Sequence, residues 1–165
     1  MSIMKLVISI LVIVLFSFQT SVSQTIILDE TGKYISQETI EFENMSKDLL
    51  FEKSMEWLAL NYSSSQDVIQ YSNLESGKII CKGSFETSLF MKSGFILHAL
   101  TLEFKEGKVR QTYTSFSYYS SGSGEIAFES KSMGMKKKVL KETTGKIVSA
   151  TKSFKEYLHG KNEDW

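Results

Sequence analysis

The clearest fold signal in the chain is the stretch Phe95–Tyr118, which reads FILHALTLEFKEGKVRQTYTSFSY. Apolar and polar residues alternate on both sides of Lys105-Glu106-Gly107-Lys108. Alternation with a period of two is typical of half-buried β-strands. A glycine in the connection supplies the positive φ angle that a tight hairpin turn needs. The stretch therefore predicts an antiparallel β-hairpin with one apolar and one polar face.

A two-residue turn gives this hairpin its clearest division between faces. The apolar face then pairs Phe104 with Val109, Leu102 with Gln111 and Leu100 with Tyr113. The polar face pairs Glu103 with Arg110, Thr101 with Thr112 and Ala99 with Thr114. Farther from the turn, the same register places the pairs Leu97–Phe116 and Phe95–Tyr118 on the polar face and makes it apolar there. A three-residue turn with a bulge would shift the register by one residue and mix the two faces, so we prefer the two-residue turn.

Upstream, the pattern predicts a strand over residues 35–43, after a short strand at 26–28, and then an amphipathic helix. Ser46 is a typical N-cap residue, and the helix extends to Asn61. Its apolar stripe consists of Leu50, Ser54, Trp57 and Leu58. A shorter hairpin follows, with strands over 68–74 and 79–85 and a two- or three-residue turn within Glu75-Ser76-Gly77-Lys78.

Downstream, residues 119–124 predict a loop, and residues 125–138 predict a loop or an irregular crossing. A last helix begins between Lys138 and Lys146 and ends near Gly160, with its core at about 140–158. Its predicted stripe comprises Leu140, Thr144, Ile147, Thr151, Phe154 and Leu158. The order is strand, helix, four antiparallel strands, helix. One sheet with both helices on one face would bury both stripes, so we predict an α+β two-layer sandwich.

The first 23 residues have the three-part pattern of a secretory signal peptide. Lys5 precedes the apolar run Leu6–Phe18, and Ser21-Val22-Ser23 places small residues at the cleavage site, before Gln24. The run is shorter than the roughly 20 apolar residues of a membrane-spanning helix, and no later segment could span. No cysteine lies at the cleavage site, so we expect an exported, non-lipidated protein in the periplasm or outside the cell. Residues 24–165 would form one α+β domain.

Composition and charge fit a globular domain with an uneven charge distribution. The chain has 165 residues, 42% of them hydrophobic, and a formal net charge of zero, which argues against a nucleic-acid binder. Residues 24–130 carry 9 basic and 15 acidic groups, whereas residues 131–165 carry 9 basic and 4 acidic groups. The basic run Lys136–Lys138 with Lys141 predicts either contact with an anionic surface or a solvated helix face that pairs with the acidic part.

Signals for chemistry are few. The two histidines, His98 and His159, are predicted to lie on an apolar strand face and at a helix end. The single cysteine, Cys81, lies in an apolar strand pattern and predicts a buried thiol, the alternatives being an intermolecular disulfide or a reactive nucleophile. Metal-ligand spacings, nucleophile motifs and phosphate-binding glycine loops are absent from the sequence, so we assign no catalytic residue, metal or cofactor. The pairs Glu41/Glu43 and Glu52/Glu56 have solvent-facing explanations.

Four segments resemble one known family. They are KDLLFEKSMEW at 47–57, DVIQ at 67–70, ESGKIICKG at 75–83 and LEFKEGKVR at 102–110. They are similar to a family of exported bacterial proteins, common in Bacteroidetes, that is classed as a domain of unknown function with a TATA-binding-protein-like fold. The resemblance covers roughly residues 35–118. It implies the strand-helix-four strands-helix order. It implies no catalytic residues, because the family has none assigned, and it gives no reason to expect DNA binding, because fold does not imply function.

The sheet face without helices is the best binding candidate. We expect this face, when residues 119–138 leave it open, to bind a ligand or partner through Phe95, Leu97, Thr101, Arg110, Thr112, Thr114, Phe116 and Tyr118. The expected partner is an envelope protein, a glycan or a small ligand. Two alternatives stay open. One is a helix-grip carrier of a small apolar ligand, with a cavity between the sheet and the last helix, and the other is an enzyme of unrecognised class with convergent ionisable groups in a cleft.

Overall fold

The computed structural model describes residues 25–62, 68–89, 93–122 and 124–160. The predicted signal peptide lies outside these residues. In chain order the elements are β1 (Ile27–Leu28), β2 (Tyr34–Glu41), α1 (Lys47–Asn61), β3 (Ile69–Asn73), β4 (Lys78–Thr87), β5 (Gly94–Lys105), β6 (Lys108–Ser120), β7 (Gly124–Ala127) and α2 (Lys136–Leu158). Neither helix has the length and apolar character of a membrane span, within the part of the chain that the structure describes.

The strands form one antiparallel sheet in the order β1-β2-β6-β5-β4-β3, and β7 also pairs with β6. The first half of β6 pairs with β2, and its last four residues pair with β7. The predicted α+β class, with two helices and one open sheet, is confirmed. Strand β7 was not predicted, because its four residues are too few to show a period against the serine- and glycine-rich sequence before them.

Helix α1 begins and ends where its sequence predicts. The Ser46 hydroxyl accepts a hydrogen bond from the backbone N–H of Leu49 at 3.2 Å, which satisfies one of the free donors of the first turn. All four residues of the predicted stripe are buried. Ser54 tolerates its buried position because its hydroxyl donates to the carbonyl of Leu50 at 2.6 Å.

Helix α2 begins earlier than predicted, at Lys136, and this changes which residues of its first turns face the sheet. The buried residues are Val139, Thr143, Ile147, Thr151, Phe154 and Leu158. Leu140 and Thr144, which were predicted to be buried, are only half-buried. In these first turns the predicted stripe was therefore displaced by one residue from the buried one. Thr143 takes a fully buried position because its hydroxyl donates to the carbonyl of Val139 at 2.8 Å.

Both helices pack on the same face of the sheet, which forms the core. Trp57 of α1 meets Phe154 of α2 edge to face with ring centroids 5.2 Å apart, and its indole N–H donates to Ser153. Phe42, the residue directly after β2, contacts Phe154 in the same manner at 6.3 Å. Edge-to-face aromatic pairs bury large apolar side chains and also favour one relative orientation of the rings. Here such pairs link the two helices to each other and to the sheet.

The β5–β6 hairpin has the predicted register only near its turn. The six pairs predicted there, from Phe104–Val109 to Ala99–Thr114, are all present. Beyond them the register shifts, so that Leu97 pairs with Ser117 and Phe95 with Tyr119. The predicted pairs Leu97–Phe116 and Phe95–Tyr118 are therefore wrong.

The cause of the shift is a β-bulge in β6. Two residues, Ser115 and Phe116, stand opposite His98 alone, and Ser115 has a φ angle of 55°. One extra residue reverses the face to which every later side chain points. Phe116 and Tyr118 consequently point to the helices and are 1% and 5% exposed.

The β3–β4 hairpin also differs from its prediction. Asn73 pairs with Lys78, so the connection is the four-residue loop 74–77 and not a two- or three-residue turn. The Asn73 carboxamide oxygen accepts the backbone N–H of Ser76 at 2.7 Å, and Gly77 has a φ angle of 59°. An asparagine that bonds to the backbone of its own turn stabilises such a loop, which the glycine alone did not reveal.

Replacing Ser115 with glycine tests the bulge. A left-handed residue with a side chain is strained, so Ser115→Gly should raise the free energy of unfolding by about 0.5–1 kcal/mol in urea titrations. Ser115→Val should lower it by at least about 1 kcal/mol. Thr114→Gly, at the neighbouring residue, should lower it, because glycine destabilises ordinary strands. Equal losses for both glycine variants would contradict the bulge.

Candidate functional site

The segment after β6 does not cover the face of the sheet opposite the helices, within the described residues. Strand β7 extends the sheet at its edge, and the next residues turn to the helix side. There Phe128 stacks on Phe116 at 5.5 Å and Met133 is buried in the core. The Glu129 carboxylate accepts the backbone N–H of Tyr34 at 3.0 Å, which ties this segment to β2. The opposite face of the sheet, here called the open face, is therefore available to a partner.

One line of side chains crosses the open face far from the β5–β6 turn. Phe95 pairs with Tyr119 on one side and with Glu86 on the other, and Tyr119 in turn pairs with Glu125. We call these four residues the aromatic row. Phe95 is 38% and Tyr119 41% exposed. The Ser117 hydroxyl donates to the Glu125 carboxylate at 2.7 Å, which holds this carboxylate beside the aromatic pair.

The structure brings six of the eight predicted site residues to the open face. Phe95 and Arg110 are exposed there, and the others are half-buried, namely Leu97, Thr101, Thr112 and Thr114. Phe116 and Tyr118 lie in the core, because the bulge turns them inward. Tyr119, Glu86 and Glu125 take part in the aromatic row and were missed. Only the pairing of β4 and β7 and the position of the bulge could have revealed them.

A second feature of the open face is a depression of about 280 Å³ at the turn end of the sheet. It is lined chiefly by Thr39, Ser76, Glu103, Lys105, Lys108 and Arg110. Glu103 forms ion pairs with Arg110 at 2.7 Å and with Lys78 at 3.4 Å. Burial raises the pKa of Glu103, but the hydrogen bond and charge of Arg110, with a contribution from Lys78, outweigh it and lower the pKa below its ordinary value. This carboxylate stays ionised and paired, which suits charge recognition and not proton transfer.

The interior beneath the helices contains an unusual group of polar side chains. His98 is 3% exposed, stacks on Phe85 at 4.3 Å and lies 5.3 Å from Tyr113, centroid to centroid. Within the described residues, neither ring nitrogen of His98 has a hydrogen-bond partner, nor do the Ser36 hydroxyl and the Gln111 amide nitrogen. Buried polar atoms are normally paired, and ordered water is a frequent partner. The prediction of a histidine on an apolar face is confirmed, but its environment is more polar than the sequence suggested.

Two residues of β4, Cys81 and Gly83, lie beside this group and are affected by close packing in different ways. Cys81 is fully buried, and burial raises the pKa of its thiol to about 12, so the thiol is protonated and poorly nucleophilic. The predicted burial of this residue is confirmed. A Cβ atom at Gly83 would lie 2.7 Å from His98 Nε2 and 2.6 Å from a ring carbon of Tyr62. Only glycine allows both rings to approach β4 this closely.

The described residues contain no group of three or more His, Cys, Asp or Glu side chains that could hold a metal ion. The predicted basic run is exposed at Lys137, Lys138 and Lys141. Farther along α2, Lys155 forms an ion pair with Glu38 of β2 at 2.5 Å. Part of the helix charge therefore pairs with the acidic part of the chain, as one of the two interpretations predicted.

About half of the chain matches one protein family. Residues 37–119 match the family described as "Domain of unknown function (DUF4468) with TBP-like fold". The chain belongs to this family. None of the curated proteins compared with the chain matches it.

Two solved structures resemble this DUF4468 member. A TBP-like protein from Parabacteroides distasonis ATCC 8503 is 14% identical with a TM-score of 0.67, over 79% of this chain and 96% of that chain. A DUF4468 family protein from Bacteroides ovatus ATCC 8483 is 16% identical with a TM-score of 0.55, over 76% of this chain and 84% of that chain. At these identities the similarity shows a common fold, and it assigns no ligand or activity.

The buried histidine of this DUF4468 member predicts a specific acid sensitivity. Burial lowers the pKa of His98 from 6.5 to about 4 and outweighs a smaller raising effect of the Ile96 backbone. The unfolded chain therefore takes up this proton before the folded chain does, and stability is lost as the pH falls from about 6.5 towards 4. Over that interval His98 should account for about 3 kcal/mol of lost free energy of unfolding.

The variant His98→Leu should lose this part of the pH dependence while the contribution of the carboxylates remains. Urea unfolding of both proteins at pH 7, 5.5 and 4.5 measures the difference. A wild-type chain that loses no more stability than the variant between pH 7 and 4.5 would contradict the buried, unpaired state of His98.

Proposed function

We propose that this chain is an exported, non-catalytic binding domain that holds a partner on the open face of its sheet. The observation that carries the proposal is the aromatic row. Two large aromatic side chains lie next to each other on that face with about two-fifths of their surface exposed. Exposed apolar area at one place on a sheet is a common feature of interaction surfaces.

The composition of the aromatic row favours a partner with positive charge. The carboxylates Glu86 and Glu125 lie on either side of Phe95 and Tyr119 in the same line across four strands. Lysine and arginine side chains bind to the faces of aromatic rings and to carboxylates, and the two contacts reinforce each other. The proposed ligand is therefore a lysine- or arginine-bearing segment of an envelope protein.

Export is part of this proposal and is supported by the signal-peptide pattern in residues 1–23. The expected location is the periplasm or the cell exterior, without a lipid anchor. An envelope location would give the domain access to the basic segments of exported proteins. Residues 24–165, the mature chain after removal of the signal peptide, have a net charge of −1, which is too small to repel basic segments or to attract them strongly.

The carrier alternative requires an apolar cavity between the sheet and α2. The described residues place packed side chains there, including Ile147 and Phe154, together with the polar atoms of Gln111 and Thr151, which bond to each other at 2.9 Å. The enzyme alternative requires convergent ionisable groups. The turn-end depression has such groups, but Glu103, the one carboxylate that lines it among the described residues, is held in ion pairs. Both observations favour binding on the open face.

Binding of a cationic peptide tests the proposal. The mature chain is titrated with a short peptide of alternating lysine and leucine, and backbone amide shifts are followed by NMR. The shifts should concentrate in residues 94–97 and 117–127. The double variant Phe95→Ala/Tyr119→Ala should bind at least about fivefold more weakly, since each ring contact with a cation contributes roughly 0.5–2 kcal/mol.

Tyr71→Ala is the matched control. Tyr71 lies on the same face at the β3 edge and is 43% exposed, close to the value for Tyr119, but carboxylates do not flank it in its row. This variant should bind the peptide like the wild type. Equal weakening by Tyr71→Ala, or equal affinity of the double variant and the wild type, would contradict the proposal. A neutral oligosaccharide that shifts the aromatic row when the peptide does not would instead identify a glycan partner and reject the cationic one.

A further inference from the structure

The turn-end depression has a charge pattern that the aromatic row does not explain. Lys105 and Lys108 are direct cross-strand partners on the open face beside the β5–β6 turn. Like charges placed directly opposite each other on neighbouring strands repel and destabilise the pair. Within the described residues, neither ammonium group forms an ion pair or hydrogen bond with another side chain. The repulsion between these two ammonium groups lowers the stability of the free domain, and a bound anion would relieve it.

Arg110 adds hydrogen-bond donors to the same depression. Its Nε and Nη2 groups bind Glu103 at 2.8 and 2.7 Å, which uses two of the five guanidinium N–H donors and leaves three. The Glu103 carboxylate also fixes the direction of the guanidinium group. The hydroxyls of Thr39 and Ser76 line the depression as well. The depression therefore offers a positioned guanidinium, two ammonium groups and two hydroxyls to a ligand.

The depression stays positive after its carboxylates are counted. Its lining contains three cationic side chains and one carboxylate, Glu103. At the rim, Lys78 binds Glu103, and Glu41 is the strand partner of Lys108. Glu106 in the turn accepts the backbone N–H of Lys47, whose side chain lies beside Gly77, so these rim residues add two charges of each sign. The excess of two positive charges therefore remains.

We propose that this depression binds a phosphate or sulfate group. Such a group has several acceptor oxygens and full negative charge, and it matches arginine and lysine donors that converge from different strands. The volume of about 280 Å³ lies at the lower end of ligand pockets, which fits one charged group or a small molecule. Lys105 and Lys108 would bind it with Arg110, while Glu103 positions Arg110.

This site is separate from the proposed peptide surface. Glu103 and Phe95 are eight residues apart on β5, which corresponds to about 26 Å along the strand. The two ends of the open face also attract opposite charges. Loss of binding at one end therefore leaves the other measurable, and the failure of one proposal is distinguishable from the failure of the other.

Titration of the mature chain with inorganic phosphate and, in parallel, with sodium sulfate tests the proposal by NMR at constant ionic strength. The amide shifts should concentrate at residues 76–78 and 103–110. A second titration series at a higher sodium chloride concentration should show weaker binding of both anions, because salt screens the charges. The double variant Lys105→Gln/Lys108→Gln should bind about fivefold more weakly. The control Lys137→Gln/Lys138→Gln, on exposed residues of α2, removes the same charge and should leave the affinity unchanged.

Two vesicle preparations identify the source of the group. Binding to phosphatidylglycerol vesicles, but not to phosphatidylcholine vesicles, with loss in the Lys105/Lys108 variant, would assign a lipid headgroup. Phosphate or sulfate binding without vesicle binding would assign a soluble ligand. The absence of shifts at residues 103–110 with both anions would overturn the proposal. Equal weakening in the control variant would also overturn it, because bulk charge would then explain the binding.

Discussion

The extra residue in β6 at Ser115 determines what this molecule can present to a partner. Before it, the strand places Val109, Gln111 and Tyr113 on the core side; after it, Phe116 and Tyr118 take that side instead. A regular strand would have exposed Phe116 and Tyr118 and buried Tyr119. The bulge therefore places Phe116 and Tyr118 in the core, and it also creates the aromatic row on the open face. One backbone irregularity serves both the stability of the fold and the proposed binding surface.

The two faces of the sheet combine polar and apolar groups in opposite ways. The covered face contains a polar group around His98 within an otherwise apolar core, and Gly83 leaves room for its ring against β4. Such buried polar atoms weaken the core unless water or a protein group pairs with them. The open face is mainly polar, but it has aromatic side chains at one end and, at the other, two lysines without side-chain partners among the residues that the structure describes. Exposed aromatic rings and facing lysines are both unfavourable in the free domain, and a ligand that covered either end would reduce that unfavourable free energy.

Much of the fold follows from patterns in the sequence, because local periods report the burial of one face. The amphipathic stripe of α1, its Ser46 cap and the six register pairs next to the β5–β6 turn were all predicted correctly. The errors lie where the period breaks. Bulges and left-handed residues require no particular residue type, so the sequence around Ser115 gave no indication of the bulge. The four-residue loop after Asn73 is held by a hydrogen bond that the Asn73 side chain accepts, and the sequence pattern alone does not reveal that bond. The candidate site suffered most, since Phe116 and Tyr118 were placed on the wrong face and Tyr119 was missed.

The solvent exposure of the aromatic rings can be measured directly by NMR of residues 24–165 in the presence of a soluble paramagnetic agent. The ring protons of Phe95 and Tyr119, which are 38% and 41% exposed, should show strong relaxation. The ring protons of Phe116 and Tyr118, at 1% and 5% exposure, should be protected. Strong relaxation of Phe116 and Tyr118 together with protection of Tyr119 would show a regular β6 strand. That result would contradict the bulge, the aromatic row and the function proposed for it.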